Sequence, residues 1–296
     1  MAGGAPGDGE GAKITPRRTH VKRRRVFPGL PARAKKPQID IDSGGFPGQF
    51  SRPMPRPANE VTLVHSSDLH VDNSFTARSH DGDGMRGLAA VLATARAAEA
   101  DLVLLAGDVF EHVRLPMDLL DRTRELLATA GRPVLLLPGN HDPALADGVY
   151  HRGGFLDLAN VHVIGITHAG AVPFAEWELE VWGHAHMDYA NMAPLKTPRP
   201  RGARLQIAAA HGHYEPVPDP AKAHHPSWLI SDADIAATDA DYVALGHWNR
   251  WAEVGDGTVP AFYSGSPEHS GTVNLVRLGG SAGLSVERLP VIWDQE

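Results

Sequence analysis

Five short stretches of this chain hold the residues most suited to chemistry. "SSDLH" carries Asp68 and His70, and "LLAGDVFEH" carries Asp108. "LLPGNHDP" carries Asn140, His141 and Asp142. "AAAHGH" carries His211 and His213, and "LGHWNR" carries His247 and Asn249. Each set lies at the end of an apolar run. Hard oxygen donors mixed with imidazoles suit Mn, Fe or Zn. One carboxylate placed between two ions can bridge them. Two ions roughly 3.5–4 Å apart generate a hydroxide at neutral pH and clamp an in-line displacement at phosphorus. The chain has no cysteine, which excludes disulfides and thiolate metal sites, while its 17 histidines make an imidazole site plausible. Taken singly the stretches are weak signals, since "DLH" and "GD" also occur as ordinary turns. "GNHD" is more specific, because Asn-His-Asp has no capping logic.

The elements that must position these residues are legible as apolar runs. "VTLVHSS", "DLVLLAGD" and "PVLLLPGN" read as strands, with "GMRGLAAVLATARAAEA" and "LPMDLLDRTRELLATA" as the helices between them. Continuous apolar strands alternating with helices predict βαβ units and a buried parallel sheet. After about Asn160 the strands crowd together and predict a second, more antiparallel sheet. Sites in such folds assemble past the carboxyl ends of strands, where all five stretches fall. The glycines that precede them let the backbone turn tightly and approach an ion.

Residues 1–58 are rich in Gly, Pro and Arg and read as a disordered basic tail, and residues 61–296 as one domain. Residues 1–60 hold 12 of the 28 basic side chains and 5 of the 35 acidic ones, so the body is acidic. An acidic body disfavours non-specific binding of nucleic acid. "KRRR" at Lys22 to Arg25 reads as part of a solvated tail, and Met54 is a candidate alternative start. No run of 18 apolar residues exists, and Arg17-Arg18 lacks the apolar segment of an export signal, so no membrane span and a cytoplasmic location are expected.

The order D-x-H, G-D, G-N-H-D, H, G-H-x-H resembles the signature of the calcineurin-like metallophosphoesterases. "SDLHVD", "AGDVF", "GNHD", "DYVALGH" and "YSGSPE" look most like the nuclease-subunit branch of double-strand-break repair. The resemblance implies an α/β fold, a four-layer α/β/β/α sandwich of two mixed sheets. It implies a phosphate ester substrate and two divalent metal ions, Mn first, with Fe or Zn as alternatives. Asp68 and His70 would bind the first ion and Asp108 would bridge both. Asn140, His211 and His247 would join Asp108 on the second. His141 would face the phosphoryl group and protonate the leaving oxygen, with Asp142 orienting its ring. The implied activity is hydrolysis of a phosphodiester or nucleotide-type ester by metal-bridged hydroxide. A repair-type exonuclease and a metal-poor binding module are the alternatives. Motif order places the perfect "GHAH" at Gly183 to His186 outside the ligand set, and His213 reads as a bystander.

Three features depart from the family pattern. Asn249 stands where the family has a histidine on the first ion, and an amide oxygen is a weaker, shorter donor. Glu111 stands where the nuclease branch usually has His or Asp, which weakens the exonuclease reading. After "YSGSPEH" the two remaining strands are too few for the extra domain of the repair nucleases, so an ATPase partner is not expected.

Overall fold

The computed structural model describes residues 59–293 apart from 73, 220 and 222–225; the basic tail and Met54 lie outside the described residues. The chain runs β1 (Val61–Ser66), α1 (Ser74–Ser79), α2 (Arg86–Ala97), β2 (Leu102–Ala106), α3 (Met117–Ala128), β3 (Val134–Leu137), α4 (Val149–Arg152) and β4 (Val161–Val163). It continues through β5 (Ala171–Phe174), β6 (Leu179–Gly183), β7 (Leu205–His211), β8 (His213–Tyr214), β9 (Leu229–Ile230), α5 (Asp232–Ala237) and β10 (Tyr242–Gly246). It closes with β11 (Ala252–Val254), β12 (Ala261–Tyr263), α6 (Pro267–Ser270), β13 (Thr272–Gly280) and β14 (Gly283–Pro290).

Two six-stranded mixed sheets result. The first has the order β14-β13-β1-β2-β3-β4 and the second β11-β12-β10-β7-β6-β5. Strand alternation divides the apolar side chains into three layers. Val103 and Leu105 of β2, with Leu136 of β3, pack on Leu88 and Val91 of α2 and Leu120 of α3. Leu102, Leu104, Leu135 and Leu137 point the other way and meet Ile207, Ala209 and Ala244 between the sheets. Ala208, Ala210, Val243 and Leu245 face outward under Ile235 of α5. That outer layer is thin, because α5 is only six residues long, started by a capping box between Ser231 and Asp234.

The expected strands form, but their pairing differs from the antiparallel second sheet read from the sequence. β6, β7, β10 and β12 are mutually parallel, and only the edge strands β5 and β11 run antiparallel. β4 joins β3 in the first sheet, and β13 returns to pair antiparallel with β1. The reason is burial on both faces. "QIAAAH" and "YVALG" have no solvent side, which is the condition of a parallel core strand.

A small polar cluster sits between the sheets. His65 of β1 places Nδ1 2.9 Å from the Tyr242 hydroxyl, and Asn274 donates to that hydroxyl at 3.3 Å. Burial lowers the His65 pKa to about 3, so the folded protein keeps the ring neutral. The unfolded chain protonates it near pH 6.5. Stability therefore falls as the pH drops from about 6.5 towards 3, by up to about 1.4 kcal/mol per pH unit for this one proton. The variant His65→Gln should show a flatter loss of urea stability over that range than the wild type. Parallel pH profiles for the two proteins would contradict this account of His65.

Candidate metal centre

The carboxyl ends of β1, β2, β3, β7 and β10 converge where the two sheets meet. The approach is close: a Cβ on Gly246 would clash with the Ala106 carbonyl oxygen and the His211 ring. Glycine is required there because backbone of one sheet abuts backbone of the other. Four predicted ligands sit in left-handed backbone conformations: Asp68 at φ 56°, His70 at 48°, Asp108 at 51° and His247 at 102°. Such conformations cost free energy in non-glycine residues and cluster where function fixes them. Here Asp68 N–H donates to Gly107 O and His70 N–H to Asp108 O, both at 3.0 Å, which locks the first two loops together.

Asp108 lies at the centre. Its Oδ1 accepts from the His141 backbone N–H at 2.9 Å. Its Oδ2 is 3.2 Å from His211 Nε2 and 4.0 Å from His70 Nε2. Two groups with metal-ligand spacing share this carboxylate: Asp68, His70 and Asp108, and Asp108, His211 and His247. Asn140 belongs with the second, since its Oδ1 is 3.0 Å from His211 Nε2 and 3.1 Å from His247 Nδ1. Asp68 Oδ2 accepts from the Ser67 hydroxyl at 2.5 Å and from His247 N–H at 3.0 Å, so these bonds fix the angle of its carboxylate.

The donor set fits divalent ions. His211 Nδ1 donates to the Ala106 carbonyl at 2.9 Å, which leaves the Nε2 lone pair aimed at Asp108 and Asn140. The electrostatics call for positive charge here. Burial opposes protonation of His211, but the Asp108 carboxylate overrides it and raises the pKa to about 9. Burial raises Asp108 too, yet the pull of His211 is stronger and holds it below the ordinary carboxylate range. Burial pushes Asp68 up, and burial together with His211 lowers His247 to about 4. Hard oxygens beside imidazoles suit Mn, Fe or Zn.

His141 is brought to the same place, its ring edge-on to His70 with centroids 4.6 Å apart. Its orientation corrects the sequence reading of Asp142. His141 Nδ1 donates to the Glu111 carbonyl at 2.9 Å. The Asp142 carboxylate accepts instead from Gly139 N–H at 2.7 Å, Val109 N–H at 2.9 Å, Phe110 N–H at 3.0 Å and the Tyr150 hydroxyl at 2.8 Å. It ties the loop after β2 to the loop after β3, and burial, with Asp108 nearby, raises its pKa to about 6.

Asn249 follows His247 by two residues. It is exposed on the loop after β10, with no side-chain hydrogen bond among the described residues. His213 is exposed and its Nδ1 accepts from Trp248 Nε1 at 3.1 Å. Of the "GHAH" pair, His184 is half-buried and hydrogen-bonded to Thr197. His186 is buried and donates Nε2–H to the His211 carbonyl at 2.7 Å, bracing the His211 backbone. Sequence reasoning missed that role, as it missed the contact of Glu111 with His70, where Oε2 lies 2.9 Å from Nδ1. A cavity of about 320 Å³ is lined by His112, Val113, Arg114, Leu145, Asp147 and Tyr189.

The profile of the calcineurin-like phosphoesterases matches residues 61–250. The chain belongs to this family. Its members are metal-dependent hydrolases of phosphate esters, which agrees with the ligand groups around Asp108. This phosphoesterase is 25% identical over 216 residues to YhaO, an uncharacterized metallophosphoesterase of Bacillus subtilis, covering 64% of this chain and 49% of that one. It is 25% identical over 247 residues to the SbcD nuclease subunit of the same organism, covering 70% and 61%. With the SbcD nuclease subunit of Escherichia coli the identity is 25% over 283 residues, covering 78% and 68%. The chain thus spans about half the length of the first relative and three-fifths of the second. In fold it is similar to a Staphylococcus aureus protein assigned by name to the 5′-nucleotidases, with TM-score 0.53 and 17% identity over 80% of this chain and 55% of that one. The protein TT1561 of Thermus thermophilus gives 0.50 and 14% over 77% and 98%. No helix among the described residues is long and apolar enough to cross a membrane.

Asp142→Ala would strip three buried backbone N–H groups of their acceptor, at about 1–3 kcal/mol each. Urea unfolding should show a loss of about 3 kcal/mol or more. A variant of wild-type stability that loses only turnover would return Asp142 to the orienting role.

Proposed function

We propose that the protein hydrolyses a phosphodiester or nucleotide-type ester with two divalent metal ions, manganese foremost and iron or zinc as alternatives. The observation that carries this reading is the pair of ligand groups sharing Asp108. Asp68, His70 and Asp108 would hold the first ion, with the Asn249 side-chain oxygen or water completing its shell. Asp108, Asn140, His211 and His247 would hold the second. Residues 61–296 would form the catalytic domain.

When bound, the metals supply Lewis acidity, polarising the phosphoryl group and acidifying water so that it attacks at neutral pH. The chain's own residues do the rest. Ala106 O and His186 hold His211 in the tautomer and position a ligand needs. Because the Glu111 carbonyl can only accept, His141 carries a proton on Nδ1 and is left with Nε2 for the reaction. When the ring is protonated, Nε2–H is donated to the departing oxygen.

A nuclease is the second reading, favoured by relatives named as nuclease subunits. Assays of bis-p-nitrophenyl phosphate, p-nitrophenyl phosphate and linear duplex and single-stranded DNA, each with Mn, Fe and Zn, separate the readings. The diester should be cleaved fastest. Rapid degradation of DNA from its ends would favour the nuclease. A protein with neither bound metal nor turnover would be a binding module. His141→Ala should lower diester turnover by about 100-fold or more with bound metal unchanged; retained turnover would remove His141 from the mechanism. Asn249→His should raise occupancy of the first ion, and unchanged metal content and activity would contradict the place given to Asn249.

A further inference from the structure

Glu111 follows Asp108 by three residues and touches both sides of the centre. Its N–H donates to the Val71 carbonyl at 3.1 Å, which fixes its backbone one residue beyond His70. Its carbonyl oxygen accepts from His141 Nδ1 at 2.9 Å. Its carboxylate Oε2 lies 2.9 Å from His70 Nδ1, a buried atom with no conventional hydrogen bond. The other ring nitrogen of His70, Nε2, faces the Asp108 carboxylate at 4.0 Å. Each ring nitrogen thus lies within ion-pair distance of a carboxylate, Nε2 of Asp108 and Nδ1 of Glu111.

We infer that Glu111 is a positioning residue for metal binding, its carboxylate fixing the His70 ring and strengthening it as a ligand of the first ion. The inference rests on the two-metal reading above. A carboxylate on the far nitrogen of an imidazole holds a proton there, keeps the near lone pair aimed at the ion and makes it a stronger donor. The first ligand group needs this more than the second. The second combines Asp108 with two imidazoles and the Asn140 amide in direct mutual contact. The first has one imidazole, and the nearby Asn249 is neutral and exposed. Strengthening the single imidazole offsets that deficit. The same residue orients His141 through its backbone, so changing the side chain separates the two roles.

The test is titration of the metal-free protein with Mn(II), following free Mn(II) by electron paramagnetic resonance. The wild type should bind two ions. Glu111→Ala should weaken one of the two by about 10–100-fold and leave the other within twofold. Glu111→Gln, which keeps the shape without the charge, should fall between the two. Glu111→Asp should recover part of the loss. Equal weakening of both ions would show a merely structural role and overturn the inference, as would two unchanged affinities. Glu111→Gln decides the matter alone if Glu111→Ala does not fold. A wild type that binds fewer than two ions would overturn the two-metal reading first, and this inference with it.

Discussion

A carboxylate withdrawn from water is stable only if positive charge or several donors meet it, and Asp108 is withdrawn where two sheets touch. Its neighbours follow from that requirement. His141 N–H occupies one oxygen, while His211 and His70 face the other. Gly246 lets the second sheet come near enough to deliver His211 and His247. Left-handed turns at Asp68, His70, Asp108 and His247 bend each chain end inward, a backbone cost the surrounding packing must sustain. Burial also leaves little water to compete for the ligands, which suits divalent cations.

The rest of the fold serves as a frame for this meeting point. Parallel strands put their carboxyl ends on one side, so two parallel cores packed face to face bring five loops to one place. Asp142 then ties two of those loops through backbone N–H groups rather than acting on a ring. His186 supports His211 of the second sheet in a similar way. Rigid support of this kind keeps a metal site within the small tolerances that catalysis needs.

Much of this was legible in the sequence because the candidate ligands sit next to apolar strands, and apolar strands are easy to read. Asp68, His70, Asp108, Asn140, His211 and His247 each follow such a run, and the structure gathers them. What escaped has a common cause. Glu111 lies against His70 from 41 positions away along the chain, and His186 against His211 across a strand pair; neither contact has a local signature. Asp142 sits beside His141 in sequence, which suggested a partnership, but its side chain turns to the loop after β2. The return of β13 to β1 was hidden for the same reason, since strand order is set by pairings far apart in sequence. Asn249 was singled out by its place in the last motif, and it is exposed while the side chains gathered around Asp108 are buried or half-buried.

The central claim is that Asp108 organises two metal sites. Crystals soaked in Mn(II) and measured at the manganese absorption edge test it most directly. The account predicts two anomalous peaks flanking the Asp108 carboxylate, one beside Asp68 and His70 and the other beside Asn140, His211 and His247. A single peak, or peaks centred on His184 or His213 and away from Asp108, would contradict it.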